Sequence, residues 1–97
     1  MNETLETLFQ QLGGGHFVVM TGAKIMTDGP NTMVIKLTRM SKIAGMSIRY
    51  DAGTDTYAVT PIVGHGMRQR LGEEILDVHV GELLTTFEQL TGLYTHL

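Results

Sequence analysis

Three stretches in the middle of the chain alternate apolar with polar side chains at a period of two, and this alternation constrains the fold more than any other feature. In residues 32–38, Met33, Ile35 and Leu37 fall on one side; in 44–50, Met46, Ile48 and Tyr50 do; in 56–63, Tyr57 and Val59 do. Successive side chains of a strand point to opposite faces, so each stretch offers one face to a core and one to solvent. Turn chemistry separates them: Asp28-Gly29-Pro30-Asn31 precedes the first, and Asp51-Ala52-Gly53-Thr54-Asp55 joins the last two. Residues 16–23 (HFVVMTGA), rich in β-branched and aromatic types, read as one further strand.

The two ends carry a helical period instead. Asn2 is an N-cap candidate, Glu3 and Glu6 suit the positive end of a helix dipole, and Leu5, Leu8, Phe9 and Leu12 form one stripe, which predicts a helix over 3–12 ended by Gly13-Gly14-Gly15. Leu76, Val80, Leu83, Phe87 and Leu90 predict a last helix stopped at Thr91-Gly92. Its start falls between Asp77 and Gly81, where glycine costs roughly 1 kcal/mol relative to Ala. Residues 65–72 (HGMRQRLG) lack either period and read as loop or a short fifth strand. The order is α-β-β-β-β-α, an α+β single domain with an antiparallel four-stranded sheet and both helices on one face.

Composition excludes several classes. With no cysteine among 97 residues there is neither a disulfide framework nor a thiolate metal site. A domain of this size buries roughly 60–65% of its unfolded surface, which makes a homodimer a reasonable source of added stability. The acidic start and the lack of an apolar run near ~18 residues predict a cytoplasmic chain with no membrane partner.

The net charge of −3 conceals an uneven distribution. Residues 1–23 hold only Glu3 and Glu6. All seven basic side chains (Lys24, Lys36, Arg39, Lys42, Arg49, Arg68, Arg70) lie in 24–70 against three aspartates, and residues 71–97 hold five acids and no Lys or Arg. This predicts a basic sheet between acidic helices, with Lys36, Arg49 and Lys42 on the open face and Tyr50 or Tyr57 able to stack on a base at its edge.

Chemistry-bearing patterns are sparse. Ser41, Ser47 and the threonines sit in no nucleophile-elbow sequence. His16, His65, His79 and His96 lack the i, i+3 or i+4 spacing of a helical metal site, so no metal or cofactor is expected. His65, between Gly64 and Gly66, is the histidine most open to close approach by a ligand. Asp51/Asp55 fit turn chemistry, Glu73/Glu74 fit the approach to a helix, and the triple glycine lacks the Gly-Lys-Ser/Thr ending of a phosphate loop. Of seven methionines, Met33 and Met46 face the predicted core, while Met20, Met26, Met40 and Met67, if exposed together, would form an adaptable protein-binding surface.

Gln11-Leu12-Gly13-Gly14 with Phe17, Met20-Thr21-Gly22-Ala23-Lys24, Asp55-Thr56-Tyr57, and Thr91 through Leu97 (TGLYTHL) resemble a family of small proteins encoded by bacteriophages and mobile elements. The likeness runs nearly end to end and departs over 60–72. It implies a setting and not a reaction, so no catalytic residue is carried over. In that motif Gly22 suits a bulge or close packing, and Leu93-Tyr94 a chain end packed back on the sheet.

Together these features predict a non-enzymatic accessory protein that binds a macromolecule, a host or phage protein such as a defence component. A nucleic-acid-binding factor using the basic middle is the second reading. A binder of a small anionic ligand at a dimer interface is the third. Candidate contact residues are Lys24, Lys36, Arg39, Arg49, Tyr50 and His65.

Overall fold

The structure, a computed structural model, describes residues 2–38 and 41–93. Arg39, Met40 and the Tyr94 to Leu97 end, with His96, lie outside the described residues. Helix α1 (Glu3–Leu12) is capped as its sequence predicts. The Asn2 side chain accepts from the Leu5 N–H at 2.9 Å and also donates to the Pro30 carbonyl at 2.7 Å, so the cap pins the helix start to a distant turn. Leu5, Leu8 and Leu12 are buried, and Gly13 ends the helix at φ 117°.

The next segment corrects the sequence reading. Residues Gly14–Thr21 form a second helix, α2, not a strand, and Gly22 is its left-handed C-cap at φ 68°, not a bulge. The β-rich composition of Phe17-Val18-Val19 loses to tertiary packing. Helical spacing buries Phe17 and Thr21 together, and the Thr21 hydroxyl donates to the Phe17 carbonyl at 2.8 Å. The Phe17 ring meets Phe87 edge-on with centroids 4.8 Å apart.

The sheet comprises β1 (Lys24–Thr27), β2 (Thr32–Lys36), β3 (Gly45–Asp51), β4 (Thr56–Val63), β5 (Arg70–Leu71) and β6 (Ile75–Val78), antiparallel throughout. Strands β1 to β4 follow in chain order, and β5 and β6 both pair with the far edge of β4. The three alternating stretches are strands with the expected apolar faces turned inward, while the first strand lies at 24–27 instead of 16–23. Strand β6 carries a bulge against β4, where Asp77 adopts φ 57°.

One face of the sheet holds the core. Met33, Ile35, Met46, Ile48, Tyr57, Val59 and Val78 pack with Leu5, Leu8 and Leu12 of α1, Phe17 of α2, and Leu83 and Phe87 of α3 (Leu83–Thr91). Full burial of each such apolar side chain contributes roughly 1.5–3 kcal/mol. The last helix is shorter than its apolar pattern suggests. Backbone pairing with β4 draws 75–78 into the sheet, and residues 80–82 form a 3-10 turn, so Leu76 and Val80 leave the expected helical stripe and are exposed. Glu73 and Glu74 consequently precede a strand and not a helix.

Candidate functional site

The face away from the helices carries several of the residues singled out by charge. Register places Lys24 of β1 directly opposite Lys36 of β2, two exposed ammonium groups with no carboxylate in ion-pair contact among the described residues. Like charges in directly opposed positions are destabilising. Lys36 also lines, with Leu37, Ala44, Ile62, His65 and Gln69, a recess of about 160 Å³. The fold therefore brings Lys24, Lys36 and His65 to one corner.

Arg49 is occupied differently. Its guanidinium lies 3.8 Å from a Glu74 oxygen, both side chains about half exposed, and the Thr60 hydroxyl donates to the same oxygen at 3.5 Å. Lys42 lies away from this group, its side chain beside Gly92 at the end of α3 and its N–H bound to the Thr91 carbonyl. Arg39 lies outside the described residues.

Tyr50 lies on the face that its alternation with Met46 and Ile48 predicts, and so does not stand beside these cations for base stacking. It shares the helix-covered face with Ile48 and packs against the core, one residue out of phase with Arg49. Its ring tilts against Tyr57 with centroids 5.4 Å apart, and its hydroxyl donates to Asp55 at 2.7 Å. Tyr57 donates to the Gln11 side chain of α1. Hydrogen bonding to Asp55, then burial and the Asp55 and Asp51 charges, hold the Tyr50 phenol above its ordinary value of 10.0. Burial, then Tyr50 and Asp55, raise Tyr57. The two rings, with Glu3, Thr4, Thr7, Gln11 and Asp55, line a recess of about 250 Å³ beside α1.

The surface that sequence reasoning missed is the outer edge of the sheet. Among the described residues, five of the seven large apolar side chains that are exposed fall within 67–80: Met67, Leu71, Ile75, Leu76 and Val80. Met67 is fully exposed and Leu71 is 70% exposed. Among the described residues, strands β5 and β6 pair only with β4, and no strand lies on the outer side of this strip. Charge along it is bipolar, with Arg68 and Arg70 at one end and Glu73, Asp77 and Glu82 at the other. The signal lay in the helical pattern itself: Leu76 and Val80 satisfied it in sequence while the strand placed them elsewhere.

No protein-family model, curated protein or solved structure matches the chain.

The Ser41 hydroxyl donates to the Thr91 carbonyl at 3.4 Å and accepts from the Ile43 N–H, tying the β2–β3 connection to α3. No group of three His, Asp or Glu side chains converges as a metal site among the described residues. Among the described residues the exposed methionines do not form one surface, because Met26 is on the β1 edge and Met67 lies beside β5, across the sheet.

Proposed function

We propose that this chain is a non-enzymatic binding module that docks a protein partner along the apolar strip of residues 67–80. The observation that carries this reading is the concentration of Met67, Leu71, Ile75, Leu76 and Val80 on one edge of the sheet. Single exposed apolar residues are ordinary, whereas several gathered along one sheet edge among charged residues mark a candidate interaction surface. The bipolar rim specifies the partner's chemistry: an apolar ridge with acidic groups facing Arg68 and Arg70 and basic groups facing Glu73, Asp77 and Glu82. A polyanion such as nucleic acid would meet repulsion along the acidic half. The setting inferred for the module is the host cytoplasm, as an accessory protein of a bacteriophage or mobile element acting on a host or phage protein; the LGG-x-x-F, MTGAK and TGLYTHL segments carry that part.

The test is a paired capture. Wild-type chain and a Leu71→Ser/Leu76→Ser/Val80→Ser variant, each shown folded by circular dichroism, are immobilised against host lysate, and a captured protein is then purified and titrated against both. The reading expects the variant to bind at least about tenfold more weakly, the equivalent of 1.4 kcal/mol. Equal affinity for both would overturn it.

A further inference from the structure

The opposite edge of the sheet has a different character. Among the described residues, strand β1 pairs only with β2, is regular over its four residues, and contains no proline and no bulge. The usual devices that blunt an edge are therefore missing, except for a single charge, Lys24. Lys24, Met26 and Thr27 are exposed, as is Asp28 immediately after the strand.

The register defines which backbone groups are free. The Asp28 N–H donates to the Thr32 carbonyl at 2.9 Å, and this pair continues the β1–β2 ladder of Lys24 with Lys36 and Met26 with Val34. In an antiparallel ladder, hydrogen-bonded and non-hydrogen-bonded pairs alternate. Residues 24, 26 and 28 therefore direct their peptide groups to β2, and Ile25 and Thr27 direct theirs outward. Side chains alternate likewise: Ile25 packs against the core, and Lys24, Met26 and Asp28 share the open face. Along that face the order is positive, apolar, negative.

We infer that β1 is a self-pairing edge, at which a second copy of this chain adds antiparallel about a two-fold axis through Met26. Directly opposed residues must share a face, so only residue-centred registers are allowed. Centring on Ile25 would set Lys24 opposite Met26, and centring on Thr27 would set Met26 opposite Asp28. Centring on Met26 alone places Lys24 opposite Asp28, twice by symmetry, with Met26 against Met26 and Ile25 opposite Thr27. In this register the outward N–H and C=O groups of Ile25 and Thr27 complete four inter-copy hydrogen bonds. It also resolves the Lys24 and Lys36 juxtaposition, because the second copy supplies a carboxylate on the free side of Lys24. An isologous contact of this kind closes on itself and builds no filament. It uses the edge away from the partner-docking strip and stands independently of it.

The contact is short, so the dimer belongs in the micromolar range and weakens as salt screens its two ion pairs. Sedimentation equilibrium over a concentration series at low salt gives the dissociation constant for wild type, Lys24→Glu, Asp28→Lys and the double reversal. Each single change is expected to weaken association by about tenfold or more, and the double reversal, which restores opposite charges, to recover most of the loss. All of these positions are at the surface, and unchanged thermal unfolding of each variant confirms the fold. A cysteine scan is a second readout, since the chain has no cysteine of its own. Met26→Cys, at a non-hydrogen-bonded pair with Cα atoms about 4.5 Å apart, should oxidise to an inter-copy disulfide faster than Lys24→Cys. A chain that stays monomeric at millimolar concentration, or a double reversal no better than either single change, would overturn the inference.

Discussion

Lys24 and Lys36 are direct cross-strand partners at the outer end of the β1–β2 ladder, and neither has a carboxylate in ion-pair contact among the described residues. Repulsion of this sort is a cost to the monomer that screening can remove. Lys36→Thr is expected to raise the urea midpoint of the monomeric chain at about 0.01 M salt, with the gain shrinking towards zero near 1 M as the Debye length falls from ~30 Å to ~3 Å. An unchanged midpoint at low salt would contradict it.

The Phe17 and Phe87 rings join α2 to α3 and are both buried. Phe87→Ala should cost about 3–5 kcal/mol, a large part of the ~5–15 kcal/mol available to a small domain. Urea unfolding should show a lowered midpoint with a similar slope.

Substitution at Gly15 tests the helix at 14–21. This glycine lies within α2 at an ordinary φ, and an added Cβ would meet nothing within 4 Å. Gly15→Ala should therefore stabilise the chain by about 0.5–1 kcal/mol. Gly45→Ala should do the reverse, since its Cβ would collide with the Ile35 carbonyl oxygen across the ladder. Thermal unfolding of the two variants should move in opposite directions.

Tyr50 and Tyr57 both titrate above the ordinary tyrosine value of 10.0. Below that value both phenols are protonated in the folded and unfolded chains, and their contribution is complete. Above it the unfolded chain loses protons first, so stability falls as pH rises through the raised values. Phenolate absorbance should show two late-titrating tyrosines in the folded chain, and Tyr50→Phe should flatten the alkaline fall in stability.

Sequence pattern specified the strands whose two faces differ and failed where the backbone environment decides. Met33/Ile35 and Met46/Ile48 alternate because one face is buried, so a one-residue slip of register would expose them. Residues 16–21 carry no such alternation, and Phe17-Val18-Val19 suits a strand by composition; the partner that makes them helical, Phe87, is seventy residues away. Leu76 and Val80 fit a helical stripe with Leu83 and Phe87, but the free edge of β4 captures 75–78. The same competition hid part of the exposed apolar strip, because Leu76 and Val80, assigned to a buried helix face, could not be recognised as exposed. Lys24, Lys36 and His65 were legible individually from charge and flanking glycines, yet their meeting at one corner depends on the β1–β2 register. Tyr50 was separable from Arg49 by parity alone, as adjacent strand residues cannot share a face.

Hydrogen exchange on the complex with a captured protein partner tests the docking strip most directly. The account expects new amide protection over 67–80, centred on β5 and β6, with β1 unchanged at concentrations where the chain is monomeric. Protection confined to α1, α2 or the Lys24/Lys36 corner, with 67–80 exchanging as in the free chain, would contradict it.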